Sequence, residues 1–239
     1  FFKYLEKFSS LSQGKGWGFG TIPEEVKASI SFFKMKPKIF IDIGANKGLY
    51  TSFLLNKINS IECHLFEPSA DSYLALKDMF SDYVQIKINK IGLSNTNSKA
   101  KLFSDRSGSP LSSLTKRRLD HFNINMNIEE EVEIKRFDEY WKSDGRIIDF
   151  VKIDVEGHEL KVLEGFGDLL NITKLIQFEF GGCNIDTRTY FQDFWYFFKN
   201  KGFTLYRITP TGVLKIRKYT EQDETFNTTN YIALNNKLI

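Results

Sequence analysis

The stretch that decides the fold of this chain reads Lys38-Ile39-Phe40-Ile41-Asp42-Ile43-Gly44-Ala45-Asn46-Lys47-Gly48. Its first part, residues 38–43, is almost wholly apolar, which predicts a β-strand that is buried on both faces. The glycine at the strand end lets the backbone turn sharply and approach a ligand closely. Asn46 then starts a predicted helix, whose free N–H groups point at that ligand. The stretch therefore predicts the first strand, turn and helix of a ligand-binding α/β sheet.

The same alternation of apolar runs and helical patterns continues from about residue 38 to the end of the chain. Such alternation predicts a mainly parallel sheet with crossover helices. Further strands are predicted at residues 61–66, 84–88, 99–104, 131–137, 147–155, 175–180, 203–209, 212–218 and 229–235. We expect one Rossmann-like α/β domain over residues 38–239, preceded by a helical N-terminal cap over residues 1–37.

The composition of the chain excludes several classes of protein. The chain has 239 residues with 41% hydrophobic and 26% charged residues, which excludes a disordered chain and a membrane bundle. The net charge of +3 comes from interleaved acids and bases, so we expect no nucleic-acid partner. Two cysteines, Cys63 and Cys183, suit a reducing compartment, and no apolar run approaches the roughly 20 residues of a membrane span. We expect a cytoplasmic location, although a start at Phe1 rather than Met leaves a removed targeting segment open.

An acidic residue at the end of the second predicted strand points to an adenosine-containing cofactor. Glu67 follows Gly44 by 23 residues, close to the spacing of an acid that binds ribose hydroxyls. A dinucleotide fingerprint would place a second glycine at Asn46, so a pyrophosphate is disfavoured. Asp42 adds a negative charge that suits the amino group of a methionine moiety.

A second group of candidate residues follows the strand predicted at 147–155. Asp154, Glu156 and His158 lie where parallel strands of an open sheet end, which is where ligands bind. Lys152 lies inside the same strand and needs a carboxylate partner. Because acidic residues surround His158, we expect an upward shift of its pKa.

These motifs occur in one order that resembles the FkbM family of S-adenosylmethionine-dependent O-methyltransferases. The resemblance covers roughly residues 38–181 and rests on several separate motifs. They are residues 40–48, 66–68, Gly92-Leu93-Ser94-Asn95, Ser112-Ser113-Leu114, 137–140 and 148–159. Phe137 and Lys47 depart from the residues that are more common in the family at those positions.

The resemblance implies a class I methyltransferase fold with a seven-stranded sheet that ends in antiparallel strands. It also implies transfer of a methyl group from S-adenosylmethionine to a hydroxyl of a sugar, glycan or glycosylated small molecule. The expected cofactor-binding residues are Asp42, Gly44, Ala45, Asn46, Gly48, Glu67, Pro68, Ser69, Gly92, Leu93 and Ser94. The expected catalytic residues, which handle the proton of the acceptor, are Asp154, Glu156 and His158.

Several alternatives stay open. The strand, glycine turn and distant acid also occur in nicotinamide-dependent oxidoreductases, and a non-catalytic adenosyl-binding module would keep the same sheet. Asp154, Glu156 and Glu179 could together hold a divalent cation, although we favour a mechanism without a metal. Residues 116–118 either attract an anionic substrate or form a solvated face. Residues 17–19 form either a lid or ordinary packing. The sequence predicts neither the acceptor's identity nor the oligomeric state.

Overall fold

The strand that begins the deciding stretch lies inside a large sheet. The structure, a computed structural model, describes residues 1–141 and 145–239. Its strands are β1 (Ile39–Ile43), β2 (Glu62–Phe66), β3 (Ile86–Asn89), β4 (Gly92–Leu93), β5 (Ser98–Ser104), β6 (Ile128–Lys135), β7 (Ile148–Ile153), β8 (Thr173–Phe180), β9 (Phe203–Thr209), β10 (Gly212–Lys215) and β11 (Thr229–Asn235). The main sheet has eight strands in the order β10-β9-β11-β8-β7-β1-β2-β3.

The directions of these strands confirm the predicted fold class. Strands β3, β2, β1, β7 and β8 run parallel to their neighbours, and β11 runs antiparallel to both β8 and β9. The sheet has eight strands rather than the expected seven, because β10 returns along the outer edge of β9 as a short hairpin. The result is a mainly parallel α/β sheet with antiparallel strands at its C-terminal side.

Helices cover both faces of the sheet. They are α1 (Phe2–Ser12), α2 (Ile22–Ile30), α3 (Leu49–Leu55), α4 (Ala70–Met79), α5 (Phe137–Tyr140), α6 (Glu159–Glu164), α7 (Cys183–Thr187) and α8 (Phe191–Asn200). Side chains of β1 alternate between the two faces, as in any strand. Ile41 packs in a cluster with residues of α5, α6 and α8, whereas Phe40 packs in a second cluster with residues of α2, α3 and α4.

The strands predicted at 99–104 and 131–137 form a separate small sheet. β5 and β6 pair antiparallel over their whole length, and β4 pairs parallel with the end of β6. Leu102 of β5 and Ile134 of β6 are buried in the same small hydrophobic core. This sheet stands beside the end of β2, where it can form a wall.

The N-terminal 37 residues contain the predicted helices, but the two helices differ in their packing. α2 buries Val26 and Ala28 against the main sheet, whereas α1 buries none of its side chains. Aromatic residues of α1 such as Phe2 and Phe8 are exposed. Among the described residues, no helix is long and apolar enough to cross a membrane. The division into a cap and a main domain stays a prediction.

Candidate active site

A large cavity of about 630 Å³ opens where β1, β2, β7 and β8 end. This size falls within the range of roughly 300–1,000 Å³ that is usual for small-molecule sites. The cavity is also lined by the loop before α2, the loop after β5 and the start of β11. The carboxyl edge of the sheet, where ligands bind in open α/β folds, therefore carries the cavity.

The glycine turn after β1 forms one wall of this cavity. Gly44 has φ of +78°, and a Cβ at this position would lie 1.8 Å from the carbonyl oxygen of Asp154. The N–H groups of Gly44 and Ala45 donate to the carbonyl oxygen of Phe66, at 3.0 and 3.1 Å. Glycine is thus required here both by the backbone conformation and by the close approach of β7's end.

Glu67 lies at the floor of the cavity and organises the turn. Its carboxylate accepts hydrogen bonds from the N–H of Asn46, at 2.8 Å, and from the N–H of Ser69, at 2.9 Å. Burial disfavours the charged form and raises the pKa of Glu67 to about 7, against the opposing effect of these two hydrogen bonds. The carboxylate is fixed in orientation, and it still borders the cavity.

An apolar slot lies beside Glu67. Pro68, Gly92 and Leu93 line it on one side, as expected from the sequence, and Leu102 and Ile134 of the small sheet complete it. A flat apolar slot next to a carboxylate suits a base attached to a ribose.

Asp42 does not lie where the sequence led us to expect it, at the cavity surface. It is completely buried and does not line the cavity, although Lys152, its register partner on β7, does. The hydroxyl of Thr51 donates to one carboxylate oxygen at 2.6 Å, and Lys152 lies 3.7 Å from the other. Asp42 therefore supports the site from below instead of facing a methionine amino group.

Three further predicted cofactor residues do not line the cavity either. Gly48 caps α3 with φ of +81°, where a Cβ would meet the ring of Phe80. Ser69 precedes α4 and donates its N–H to Glu67. The N–H of Ser94 donates to the carbonyl of Lys135, which fixes the small sheet. Their roles in this structure are to shape the turns around the cavity.

Acidic side chains gather at the other end of the cavity. Asp154, Glu156 and Glu179 offer carboxylate oxygens that lie within 4.8 Å of one another. Asp154 is 3.2 Å from the ammonium of Lys152, and Glu156 accepts a hydrogen bond from Arg117. The expected carboxylate partner of the buried lysine is thus present, and the geometry is compatible with a cation among these oxygens.

The backbone around Glu156 is unusual. Glu156 adopts φ of +54°, a left-handed conformation that is uncommon for residues other than glycine. Buried Glu159 accepts hydrogen bonds from the N–H groups of Val155 and Gly157, at 3.0 and 3.1 Å, and so holds the turn. Burial, followed by the nearby charge of Asp154, raises the pKa of Glu156 to about 8.

His158 lines the cavity close to these acids. Its Nε2 lies 3.2 Å from the hydroxyl of Thr115. Burial lowers the pKa of His158, and the charge of Lys161 lowers it further, so the expected upward shift is wrong. The acidic neighbours do not favour the imidazolium as expected, because Asp154 and Glu156 are already paired with Lys152 and Arg117. A neutral imidazole is suited to accept a proton.

Several lining residues were not expected from the sequence. They are Glu25 of α2, the loop residues Gly20 and Ser109 to Leu111, and Asn230 of β11. The stretches whose role the sequence left open, 17–19 and 116–118, contribute Gly18, Phe19 and Arg117 to the lining. Glu25 is held by Thr21 and Gln177, whose side chains donate at 2.8 and 2.7 Å. The sequence of α2 shows only the apolar pattern of a packed helix, so nothing in it predicts that Glu25 reaches the cavity. Arg117 does not form a solvated face, since its side chain is buried between Glu156 and Asp186.

Comparisons with proteins of known structure agree with the fold. The plantazolicin methyltransferase BpumL, in complex with SAH, has a TM-score of 0.50 at 8% identity, with 98% of this chain and 90% of that chain covered. The same enzyme with SAH and a monoazolic desmethylPZN analogue gives a TM-score of 0.51 at 9% identity, with 98% and 90% coverage. At such low identity, the likeness concerns the fold alone.

One curated relative shares more sequence over a shorter part. The ribosomal RNA small subunit methyltransferase G of Campylobacter fetus subsp. fetus is 35% identical over 87 residues, or 36% of this chain. The match spans only 44% of that protein's length. Because this relative is named for ribosomal RNA, the exclusion of a nucleic-acid partner stays a prediction.

A family match covers most of the chain. Residues 42–205 match the family described as the methyltransferase FkbM domain. They include the glycine turn after β1, Glu67, the acids after β7, Glu179 of β8, and His158. From this match, together with the shared fold, we conclude that the chain belongs to the FkbM methyltransferase family.

Proposed function

We propose that this chain is an S-adenosylmethionine-dependent methyltransferase that modifies a hydroxyl of a sugar, glycan or glycosylated small molecule. One observation carries the proposal: a single cavity joins a ribose-type acid, Glu67, to a neutral histidine, His158. A cofactor and an acceptor could therefore meet in one enclosed space. Membership of a methyltransferase family supports the type of reaction.

The residues at the glycine-turn end fit this cofactor. Glu67 would accept hydrogen bonds from ribose hydroxyls, and the slot of Pro68, Leu93 and Ile134 would enclose the adenine. Gly44 leaves room where a side chain would collide with the end of β7. When bound, the cofactor supplies a methyl group on a positively charged sulfonium. Asp154 and Glu156 would face that charge from the acidic end.

His158 would act on the acceptor. A hydroxyl nucleophile loses its proton as it attacks, and a neutral imidazole at the cavity wall can take that proton at Nε2. The acceptor's hydroxyl would displace the Thr115 hydroxyl, which lies 3.2 Å from the same Nε2. Much of the remaining catalysis would come from positioning the two reactants in line.

The N-terminal residues 1–37 would serve as a cap over the main domain, residues 38–239. Gly18, Phe19 and Gly20 border the cavity, and Phe19 is almost fully exposed at its edge. This placement favours a lid over ordinary packing for residues 17–19. Ser109 to Ser112 would close the opposite side. A lid of this size suits a small-molecule or glycan acceptor.

Calorimetry and a methyl-transfer assay test the proposal. S-adenosylhomocysteine should bind and NAD(H) should not, and a ligand at 100 times its Kd should raise stability by about 2.7 kcal/mol. Binding of NAD(H) alone would favour an oxidoreductase, and binding of neither would favour a non-catalytic module. Radiolabelled methyl transfer to panels of glycans and of RNA fragments then identifies the acceptor. Transfer to RNA alone would overturn the choice of a sugar hydroxyl.

A further inference from the structure

The acidic end of the cavity contains a pair of residues that the proposed methyl transfer does not use. Glu179 of β8 and Asn230 of β11 lie directly opposite each other in the antiparallel pairing of these strands. Side chains of directly opposed residues stand about 5 Å apart on the same face. Both side chains line the cavity. They form a matched acceptor and amide pair, which we call the Glu179–Asn230 subsite.

Neither member of this subsite has a partner of its own. Asn230 is only 5% exposed, yet its amide makes no hydrogen bond with any residue in the described ranges 1–141 and 145–239. Within the same ranges, the carboxylate of Glu179 makes no hydrogen bond or ion pair. Both side chains line the cavity, so their polar atoms face its interior rather than the protein core. An amide and a carboxylate that meet no protein partner there are available to a ligand in the cavity.

The charges around Glu179 indicate that the ligand is positively charged. Asp154 is paired with Lys152, and Glu156 is paired with Arg117. Glu179 is left with no cation of its own, although its carboxylate oxygen lies within 4.8 Å of those of Asp154 and Glu156, so like charges repel here. A positive group beside Glu179 would relieve this repulsion.

Three kinds of ligand could bind Glu179: a hydroxyl, a divalent ion and a primary ammonium. The side chains around Glu179 favour the ammonium. A hydroxyl has a single donor and brings no charge. A divalent ion would need Asp154 and Glu156 as further ligands, and these carboxylates are already engaged in ion pairs with Lys152 and Arg117. A primary ammonium has three donors and one charge, so it can serve both Glu179 and the carbonyl oxygen of Asn230.

We propose that the Glu179–Asn230 subsite anchors the acceptor through a cationic nitrogen, a primary ammonium. This inference rests on the proposed function and narrows its acceptor to an amino-substituted polyol, such as an amino sugar. The ammonium at the subsite would hold the acceptor while a neighbouring hydroxyl faces His158. The acidic side chains at this end of the cavity would thereby favour a polyol with a positive charge over a neutral polyol.

Two small probes of matched shape test the subsite without a known acceptor. 2-Amino-1,3-propanediol and glycerol differ by an amino group in place of a hydroxyl, and each is titrated into the complex with S-adenosylhomocysteine. The readout is the side-chain amide resonance of Asn230 in nitrogen-15 NMR. A charge-assisted hydrogen bond contributes about 1.5–3 kcal/mol, so the amine should saturate at a concentration roughly tenfold or more below that of glycerol.

In Glu179→Gln, the two probes should saturate the protein at nearly equal concentrations. In Asn230→Ala, the amine probe should bind more weakly, as measured from the resonances of the other residues that line the cavity. Glu24→Gln, the same change at an exposed acid of α2, should keep the full preference. Equal saturation in the unmodified protein, no shift with either probe, or a preference that survives Glu179→Gln would overturn the proposal. Saturation by millimolar Mg²⁺ in place of the amine would also overturn it. Binding of S-adenosylhomocysteine, measured in the same samples, shows separately whether the proposed function holds.

Discussion

The ammonium nitrogen of Lys152 lies 3.2 Å from a carboxylate oxygen of Asp154, although Lys152 sits inside the central sheet. The same nitrogen lies 3.7 Å from completely buried Asp42, on the neighbouring strand β1. Burial lowers the pKa of Lys152, but the charges of Asp154 and Asp42 raise it by more, so the lysine stays charged. This lysine thus links the interior of the sheet to the acidic end of the cavity.

Lys152→Met should strongly destabilise the protein. Removing one partner of a buried ion pair leaves an uncompensated charge, here on Asp42, and typically costs about 3–5 kcal/mol. Urea unfolding of the variant measures this loss. The double variant Lys152→Met with Asp42→Asn removes both charges and should recover part of it. A single variant within about 1 kcal/mol of the parent would contradict the role assigned to the pair.

Gly44→Ala should damage both the fold and cofactor binding. Besides the strain of a left-handed conformation, the new Cβ would meet the carbonyl of Asp154. Gly202→Ala is the matched control, because Gly202 has φ of +81° and open space around its Cβ position. The control should lose about 1 kcal/mol from strain alone and bind S-adenosylhomocysteine normally. Equal losses in the two variants would show that the close approach at Gly44 has no consequence.

Glu67→Gln should weaken the binding of S-adenosylhomocysteine. The loss of a charge-assisted contact with ribose corresponds to about 1.5–3 kcal/mol, and calorimetry of the folded variant measures it. Because the pKa of Glu67 is raised to about 7, the parent should bind more tightly as the pH rises from 6 to 8. The variant should lose this pH dependence. An unchanged Kd in a folded variant would remove Glu67 from the site.

The same carboxyl should make the ligand-free protein less stable as the pH rises. Between the ordinary value of 4.5 and about 7, the folded state keeps a proton that the unfolded state has lost. Stability therefore falls through this window, by about 3 kcal/mol from this group. Urea unfolding at pH 5, 6, 7 and 8 tests the slope. Glu67→Gln should reduce this slope without removing it, because burial also raises the pKa of Glu156 to about 8 and that of Glu159 to about 7. A slope of opposite sign in the difference between parent and variant would contradict the raised pKa of Glu67.

His158→Ala should lower kcat by roughly 10²–10⁴-fold with little change in cofactor affinity, because a general base acts in the transition state. Burial lowers the pKa of His158, so the activity of the parent should rise with pH through a midpoint below roughly 6.5 and then level off. His121→Ala is the control, since His121 is exposed and is not among the residues that line the cavity. Near-normal kcat in His158→Ala, with loss of activity on chelation, would favour the metal mechanism with Asp154, Glu156 and Glu179.

Local patterns predicted much of the fold. The apolar run 38–43, the turn at Gly44 and the acid Glu67 appear in the structure close to where the sequence placed them. The helix after β7 is short, since α6 ends at Glu164 and a 3-10 helix follows over Gly167–Ile172. Glycines at 165 and 167 separate the two parts, and Gly167 has φ of +51°.

The sequence by itself determined the family, the strand-turn-helix units and the edge of the sheet that carries the site, because these depend on periodicity and on residues close in the chain. Only the tertiary structure decided which side chains meet in the cavity. Asp42 is completely buried against Thr51 and Lys152 and does not line the cavity. Asn230 meets Glu179 through strand register, and Glu25 reaches the cavity through the packing of α2. Such contacts are set by long-range pairing and packing, which no local stretch of sequence encodes.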